Sequence, residues 1–334
     1  MSATRPLSPL RRRGFLKIVA FGGLATGLGA AALRRFGDTT ARVSQVLMGT
    51  IVNLAVVSDD RARSEAAVAL AVSEMNRLIA VFDYRQPASA LGRLNAAGAL
   101  TDPSPELVAV LSHAQGLSAL THGAFDVSVK PVLDAFAAGQ FDAAGLRELV
   151  DYRQIQVEAD AIRLGRPGMS LTLDGLAKGR VVDGAVDALR RAGFGRVYVE
   201  AGGDLAVSGS GAAGTAWQIG VRKPRGRADQ LAARFSVTQG AVATSGDYLN
   251  AFTVDRSVNH LIDPRTLQSP SVLASATALA PTAMEADALS TALMVLGPTD
   301  GLALVDSLPG VEALLIGKDD QQYASTGFSK IGAQ

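Results

Sequence analysis

Apolar and polar residues follow one another along the chain in short runs whose periods predict helices and strands. The β-branched and apolar residues 46–57 predict one strand, and residues 64–82 carry apolar side chains at the spacing of an amphipathic helix. A second helix is predicted over residues 104–121, because Ser104 can cap it and a proline fits its first turn. The polar residues 82–98 between the two helices are predicted to form a loop.

The rest of the chain contains strands in adjacent runs, with helices clustered between them. Strands are predicted over residues 155–164 (as a hairpin), 169–173, 196–209, 215–224, 234–246, 259–266, 272–281, 311–317 and 321–326. Helices are predicted after the tight turn at Gly175 and over residues 284–297 and 301–308. This order favours an α+β fold, with mainly antiparallel sheets packed with helices, over a doubly wound parallel sheet. We therefore expect one compact domain over residues 41–334.

The first forty residues differ from the rest of the chain and are predicted to be an export signal. Three arginines at positions 11–13 precede Phe-Leu-Lys and a weakly hydrophobic run over residues 18–33. A membrane-spanning helix needs about 20 apolar residues, so this shorter, glycine-rich run is typical of a twin-arginine signal. The alternative is a short membrane anchor over residues 15–35. Both interpretations place the body of the protein outside the cytoplasm, and we expect it in the periplasm.

Composition excludes several classes of protein. The chain has no cysteine, which excludes disulfide scaffolds, thiolate metal sites and a thiol nucleophile. Its three histidines, at positions 113, 122 and 260, are far apart in sequence, so a multi-histidine metal site is not expected. Residues 1–35 hold seven basic residues and no acid, and the remaining 25 basic and 31 acidic residues leave a net charge of −6. A mildly acidic body without a basic stripe argues against binding to nucleic acids.

Gly209, Gly211 and Gly214 match the glycine pattern of dinucleotide-binding loops but lack its structural context. A strand is predicted after them, whereas phosphate binding at such a loop requires the N-terminus of a helix. We therefore interpret these glycines as a flexible hairpin turn.

Asp287 and Thr291 are four residues apart on a predicted helix, so their oxygen atoms lie on one face. A carboxylate and a hydroxyl suit Mg²⁺, which prefers oxygen ligands and keeps several waters. The alternative is structural: Asp287 would cap the helix, and Thr291 would hydrogen-bond to its own backbone.

Lys178 and His260 carry further candidate chemistry. Lys178 lies in the first helical turn after Gly175, where the helix dipole disfavours a cation and a bound phosphate would offset that cost. His260 precedes an Asp-Pro turn, and the near-neutral pKa of histidine suits a general base. The alternatives are a solvated lysine and a structural histidine. Residues 121–131 and 241–250 place hydroxyls and a carboxylate around glycine, as both nucleotide sites and ordinary turns do.

Short strings with known counterparts occur in a fixed order along the chain. They are MGTIVNL, PASALGRLN, GAFDVSVKP, LDGLAKGRVVD, the Gly202-Gly203-Asp204 turn, ATSGDY, HLIDPRT and ADALSTAL. Over about residues 46–325 the chain thereby resembles the ApbE family, the FAD:protein FMN transferases. The resemblance implies an α+β fold with FAD in a groove, and an enzyme that uses Mg²⁺ to cleave FAD, attaches FMN to a threonine or serine of an acceptor, and releases AMP. The implied acceptors are periplasm-facing flavoproteins of membrane electron-transfer complexes.

The resemblance also implies roles for individual residues. Asp287 and Thr291 match the metal-binding pair, and the backbone carbonyl of Gly175 completes that site. His260 matches the base that deprotonates the acceptor hydroxyl, and Lys178 matches the lysine near the flavin nucleotide. The other cofactor-binding matches are Met48 in the first strand, Tyr84, Ala124, Phe125, Asp126, Thr172, Asp174, Thr244, Ser245 and Gly246.

The chain departs from the family pattern at three points. Thr172 stands where many members have an aspartate, and Asp174 follows two residues later. Ser290 stands where some members have a second carboxylate, which suggests one metal ion or weaker metal binding. The flavin-stacking aromatic falls at Tyr84 or Arg85. The pattern also suits the NosX-like subgroup of nitrous oxide respiration, and two other functions stay open: an FAD-binding carrier protein and an FAD pyrophosphatase.

Overall fold

The fold comes from a computed structural model of the protein, which describes residues 39–227 and 229–328. Within these ranges the helices and strands form the predicted α+β architecture. The predicted export signal or anchor lies outside the described residues as far as position 38, and a strand begins at Thr39.

The elements of the described residues have the following bounds. The helices are α1 (Arg61–Phe82), α2 (Ala90–Ala97), α3 (Pro105–Leu120), α4 (Lys130–Ala137), α5 (Ala177–Arg191) and α6 (Ala283–Ser307). Short 3₁₀ helices lie at Val127–Val129, Ala144–Leu149, Tyr152–Gln154 and Ala212–Gly214. The strands are β1 (Thr39–Leu47), β2 (Thr50–Ser58), β3 (Ala99–Thr101), β4 (Ile155–Val157), β5 (Ala161–Leu164), β6 (Val197–Ala201), β7 (Asp204–Ser208), β8 (Trp217–Arg222), β9 (Leu231–Val237), β10 (Gln239–Gly246), β11 (Leu273–Ala280), β12 (Glu312–Gly317) and β13 (Gln322–Ala324).

The centre of the fold is an eight-stranded antiparallel sheet in the order β1-β2-β6-β7-β10-β11-β12-β13. Alternate residues of a strand point to opposite faces, so Val197 and Val199 join one core cluster while Tyr198 joins another. Helices α1, α5 and α6 cover the first face, and the β8–β9 hairpin covers the second. Full burial of one large aliphatic side chain contributes about 1.5–3 kcal/mol, so this packing holds the sheet and both covers together.

Several turns lie together at one end of this sheet. The β1–β2 turn, Met48-Gly49, and the β6–β7 turn, Gly202-Gly203, are two-residue loops in which every φ angle is positive. Such turns match the twist of β-hairpins, and they favour glycine. The strand register places the end of β10 and the start of β11 at the same end, joined by residues 247–272. Most of the candidate chemistry collects here.

The last helix, α6, is interrupted at Gly297, which has a φ angle of 75° and precedes a proline. It therefore consists of two segments, in agreement with the two helices predicted over residues 284–297 and 301–308. By length and composition α6 could cross a membrane, but half of its most apolar window is buried, and it packs against β10 and β11. These contacts are those of a core helix.

Four predicted strands are wrong. Residues 234–246 are divided at Thr238 into β9 and β10, which belong to different sheets. Residues 46–57 form a hairpin because Met48 adopts a left-handed conformation with a φ angle of 51°, so Met48 lies in a turn rather than in a strand. Residues 259–266 have only isolated bridges, and residues 169–173 form no strand. Both segments bury leucines in the core, and a buried leucine looks the same in a sequence whether or not a strand lies beside it.

Two predicted loops also differ from the structure. Residues 90–97 form helix α2 instead of a polar loop, because Ser89 Oγ accepts a hydrogen bond from the Gly92 N–H at 2.9 Å and caps the helix. The glycines of residues 209–214 do not form a hairpin turn. Strand β7 pairs with β6 and β10, whereas β8 pairs with β9, so this segment links two sheets. The hairpin predicted over residues 155–164 is confirmed as β4–β5.

Candidate functional site

Lys178 lies between two buried carboxylates, Asp204 and Asp287, and we call these three residues the lysine–aspartate cluster. The Lys178 Nζ contacts Asp204 Oδ2 and lies 3.6 Å from Asp287 Oδ1. The side chains of Asp204 and Asp287 are 3% and 4% exposed, against 34% for Lys178. When all three groups are ionised the cluster has a net negative charge, which is costly away from water unless further positive charge is present.

Burial governs the protonation of this cluster. It raises the pKa of both carboxyl groups, to about 8 for Asp287, where the charge of Asp204 adds to the effect. Burial opposes the positive charge of Lys178, but the two carboxylates outweigh burial and raise the Lys178 pKa. Lys178 is therefore charged at neutral pH, whereas Asp287 holds a proton readily in the absence of a second cation.

The close approach of α5 and α6 places Asp287 in this cluster. A Cβ on Gly179 would lie 2.1 Å from the Ala283 carbonyl oxygen, so the two helix N-termini can meet only because residue 179 is glycine. The Gly179 N–H then donates to Asp287 Oδ2 at 3.0 Å. Asp183 fixes the start of α6 by accepting from the Ala283 and Met284 N–H groups at 2.8 and 2.9 Å. Burial raises the pKa of Asp183 to about 6.

Thr291 lies one helical turn after Asp287, next to Gly175 and Ser245. A Cβ on Gly175 would be 3.1 Å from Thr291 Oγ1, so the Gly175 backbone lies close to the Thr291 side chain. Thr291 Oγ1 is 3.3 Å from Ser245 Oγ, and that hydroxyl is 2.8 Å from Ser290 Oγ. The structure therefore brings the predicted Gly175, Asp287, Thr291 and Ser245 together at one point.

Tyr84 and Arg85, on the loop after α1, form a second group with Asp174, on the loop before α5. The Arg85 guanidinium holds Asp174 through two contacts of 2.9 and 2.5 Å, and the Tyr84 hydroxyl is 3.5 Å from Asp174 Oδ2. Arg85 Cζ and Lys130 Nζ lie 4.5 and 4.8 Å from the centre of the Tyr84 ring. Burial, together with the charge of Asp174, raises the pKa of Tyr84 to about 12. Two cations therefore already lie against the Tyr84 ring, and stacking of this ring on the flavin stays a prediction.

Asp126 and Thr172 make contacts within the protein. Asp126 Oδ1 accepts from the Ser128 N–H and Oδ2 accepts from the Tyr152 N–H, both at 2.8 Å. Burial raises the pKa of Asp126 although these hydrogen bonds oppose the change. Thr172 Oγ1 accepts from the Asp174 N–H at 3.2 Å. Both side chains therefore support neighbouring backbone, and their contact with FAD stays a prediction.

Ala124, Phe125 and Met48 occupy different parts of the site region. Ala124 and Phe125 are buried, and a Cβ on Gly175 would lie 3.3 Å from the Phe125 ring, so Phe125 forms one wall beside Gly175. Met48 is half-buried in its hairpin turn and packs against the edge of the main core. The predicted flavin contacts of all three residues stay predictions.

The β10 residues Thr244 and Gly246 flank Ser245 but differ from it in their contacts. Thr244 Oγ1 is 2.8 Å from Thr277 Oγ1 on β11. Successive residues of a strand face opposite sides of the sheet. Thr244 therefore points to the side opposite Ser245, away from Thr291. A Cβ on Gly246 would lie 2.5 Å from the Tyr248 ring, so this position requires glycine for packing.

His260 lies on the loop between β10 and β11, and its backbone N–H donates to the Asn250 carbonyl at 2.9 Å. Its Nδ1 is inaccessible and has no hydrogen-bond partner among the described residues. Burial lowers the pKa of His260 to about 4, and the charges of Asp174 and Lys178 also act on the ring. The imidazole is therefore neutral at physiological pH and can accept a proton.

Two buried aspartates at this end of the sheet were not among the predicted site residues. Asp204 follows the Gly202-Gly203 turn, and Asp247 follows β10. Asp247 is completely buried, receives two hydrogen bonds from Arg225 at 2.8 and 2.7 Å, and lies 3.6 Å from Lys318. We call these last three residues the arginine–aspartate cluster. An acid directly after a glycine at a strand end is the sequence signal that could have identified both aspartates.

A cavity of about 420 Å³ lies beside the site rather than over it. Asp126, Tyr152, Arg147 and Arg265 contribute to its lining, whereas Lys178 does not. Arg147 closes one side by donating to the Pro264 and Arg265 carbonyls at 2.6 and 3.0 Å. This cavity is not the expected groove for FAD at the lysine–aspartate cluster, and that groove stays a prediction.

Comparisons with known proteins point to one family. The model of the ApbE family matches residues 48–315. The FAD:protein FMN transferase of Treponema pallidum is 30% identical over 319 residues, which cover 85% of this chain and 86% of that protein. The crystal structure of the ApbE protein of Thermotoga maritima has a TM-score of 0.81 at 25% identity, over 89% of this chain and 100% of that one. The flavin transferase ApbE from Vibrio cholerae has a TM-score of 0.77 at 26% identity, over 88% and 99%.

Proposed function

Since the chain belongs to the ApbE family, we propose that it cleaves FAD, attaches FMN through a phosphoester bond to a threonine or serine of another protein, and releases AMP. Curated relatives over more than four fifths of the chain are named FAD:protein FMN transferases. The structural observation that carries the proposal is the lysine–aspartate cluster beside Thr291 and Gly175. It combines a fixed positive charge with buried acidic oxygens, which is what a pyrophosphate-cleaving site needs.

The donor atoms next to this cluster fit Mg²⁺. Asp287 Oδ1, Thr291 Oγ1 and the Gly175 carbonyl are all oxygens, and Mg²⁺ retains several waters beside such ligands. Among the described residues, no group of three His, Cys, Asp or Glu side chains forms a metal site, and the proposed set needs only one carboxylate. When bound there, Mg²⁺ would supply positive charge to neutralise the FAD pyrophosphate.

Lys178 would act on the FAD pyrophosphate, and His260 would act on the hydroxyl of the acceptor protein. The charged Lys178 ammonium would bind phosphate oxygens and stabilise the negative charge that grows as the pyrophosphate is cleaved. His260 is neutral because its pKa is lowered to about 4, so a ring nitrogen can take the proton of the incoming hydroxyl. Tyr84 would stack on the flavin ring and hold it beside Phe125, which orients the phosphate chain toward Lys178.

The acceptor and the location follow from the export signal that we propose for residues 1–40. A twin-arginine signal would carry the folded protein to the periplasm, and a retained segment 15–35 would tether it to the membrane. The acceptor would then be a periplasm-facing flavoprotein of a membrane electron-transfer complex. The enzyme would then need both Mg²⁺ and FAD in the periplasm.

The test is incubation of the protein with FAD, Mg²⁺ and a purified acceptor, followed by intact-mass spectrometry of the acceptor and chromatography of the nucleotides. We expect the mass of FMN on one threonine or serine, together with AMP, and neither product with EDTA or with that hydroxyl replaced by alanine. Free FMN without an acceptor would identify an FAD pyrophosphatase. Bound, uncleaved FAD would identify a carrier protein.

A further inference from the structure

We propose that Asp204 is a positioning residue that holds the Lys178 ammonium away from Asp287 and so keeps one Asp287 oxygen free for a divalent cation. This inference rests on the proposed function, because it concerns the cation site of the same reaction. Asp204 does not need to touch the cation itself. Its effect is exerted through the lysine.

The geometry of the lysine–aspartate cluster is asymmetric. Lys178 Nζ contacts Asp204 directly, whereas its distance to Asp287 Oδ1 is 3.6 Å, beyond a normal hydrogen bond. The other Asp287 oxygen, Oδ2, already accepts from the Gly179 N–H at 3.0 Å. Oδ1 makes no short contact with the ammonium, and the Asp204 and Asp287 carboxyl groups also form a hydrogen bond with each other. The ammonium and a divalent cation would compete for Oδ1.

Asp204 is the more rigid partner of the lysine. It begins β7 immediately after the Gly202-Gly203 turn and pairs with Ala201 at the end of β6, and both strands are inner strands of the main sheet. A Cβ on Gly202 would lie 2.5 Å from Thr50 Oγ1, so the turn is packed closely against the start of β2. Lys178, by contrast, has a flexible four-carbon side chain. The sheet therefore determines where the ammonium lies.

Loss of the Asp204 charge would remove this restraint. In an Asp204→Asn variant, Asp287 would be the carboxylate left within 4 Å of the Lys178 Nζ, and the ammonium would move onto Oδ1. A divalent cation would then have to displace a buried ion pair before it could bind. The unmodified protein avoids that competition.

The test uses Mn²⁺ as a probe, with its binding followed by electron paramagnetic resonance and isothermal titration calorimetry in the absence of FAD. We expect Asp204→Asn to weaken Mn²⁺ binding about tenfold or more. In a Lys178→Met background the same substitution should change the affinity by less than about threefold, since there is no ammonium left to hold. This non-additivity is the signature of a residue that acts through the lysine.

Glu200→Gln is the matched control for simple loss of charge. Glu200 is a buried acid on β6 whose carboxylate accepts from Asn53 Nδ2 at 2.6 Å and from the Gly203 N–H at 2.9 Å. Its charge acts on the same region, because Asp204 contributes to the Glu200 pKa. We expect this variant to bind Mn²⁺ nearly as the unmodified protein does.

The outcomes separate the inference from the proposed function. No Mn²⁺ binding by the unmodified protein would overturn the metal site and this inference together. Equal binding by Asp204→Asn and the unmodified protein would overturn only the inference, as would an equal loss in the Lys178→Met background, which would make Asp204 a direct ligand. All variants are first compared by thermal unfolding, and Lys178→Gln, whose amide can donate to Asp204, replaces Lys178→Met if the latter does not fold.

Discussion

Two buried acid–cation clusters lie at the same end of the main sheet and differ in their balance of charge. In the lysine–aspartate cluster, two carboxylates share one ammonium, and the contact to Asp287 is long at 3.6 Å. In the arginine–aspartate cluster, one carboxylate faces two cations, and Arg225 holds it through two short hydrogen bonds. The first cluster can accept another cation, whereas the second is fully compensated. We therefore assign a role in the reaction to the lysine–aspartate cluster and a role in the stability of the fold to the arginine–aspartate cluster.

Asp287→Ala should have the largest effect on the lysine–aspartate cluster. It removes the carboxylate that the proposed cation needs, so FMN transfer should fall by about 10²–10³-fold or more. The Gly179 N–H loses its acceptor, which costs about 1–3 kcal/mol of stability and leaves a folded protein. Transfer is measured by the mass of the acceptor, and Asp229→Ala, an exposed acid, is the control. Full activity of Asp287→Ala would contradict the metal assignment.

Arg225→Met tests the second cluster. It leaves the buried Asp247 with Lys318 at 3.6 Å as its remaining charged partner, so the free energy of unfolding should fall by about 1–3 kcal/mol. The affinity for Mn²⁺ should stay within about twofold, since Arg225 makes no contact with Lys178 or Asp287 among the described interactions. Denaturant unfolding gives the stability and calorimetry gives the affinity. A large loss of Mn²⁺ affinity without destabilisation would contradict the division between the two clusters.

Gly179→Ala should weaken the first cluster through the backbone. The new Cβ would meet the Ala283 carbonyl at 2.1 Å, so α5 and α6 must separate, at a cost of about 1–3 kcal/mol. Separation also lengthens the hydrogen bond from residue 179 to Asp287, and transfer activity should fall together with stability. Gly116→Ala on α3, where a Cβ meets no atom within 4 Å, is the matched control and should be at least as stable as the unmodified protein.

His260→Gln should change the pH dependence of stability by a smaller amount. Burial lowers the folded-state pKa of His260 to about 4, so its contribution to stability is present above about pH 6.5 and is lost as the pH falls toward 4. The full shift would be worth about 3 kcal/mol, but the side chain is only partly buried, and we expect about 1 kcal/mol. The variant should lose less stability between pH 7.5 and 5 than the unmodified protein. His113→Gln is the control, and an unchanged pH dependence in His260→Gln would refute the lowered pKa of the His260 imidazole.

Local sequence patterns correctly predicted the helices whose ends are marked by a capping residue or by a glycine. Ser104 caps α3 as expected, and Gly297 divides α6 where two helices were predicted. The patterns failed where the backbone conformation depends on distant packing. Met48 takes a positive φ angle that its residue type disfavours, and residues 259–266 are held by isolated bridges and by the buried Leu261 and Ile262 rather than by strand pairing.

The candidate site was predictable in part for the same reason. Asp287 and Thr291 share a helix face, and helical spacing alone places them together. Asp204 contacts Lys178 across 26 residues of sequence, through a sheet and a helix that no local period connects. The resemblance to a family supplied the remaining residues, but the charge balance that distinguishes the two clusters required the structure.

The break at Gly297 has a mechanical consequence for the site. An unbroken helix behaves as a stiff rod and transmits any tilt from one end to the other. Gly297 and Pro298 interrupt the backbone ladder of α6 well beyond Asp287 and Thr291. Mutations or insertions in the segment after Gly297 can therefore change the orientation of that segment alone. The segment of α6 that carries Asp287 and Thr291 keeps its position.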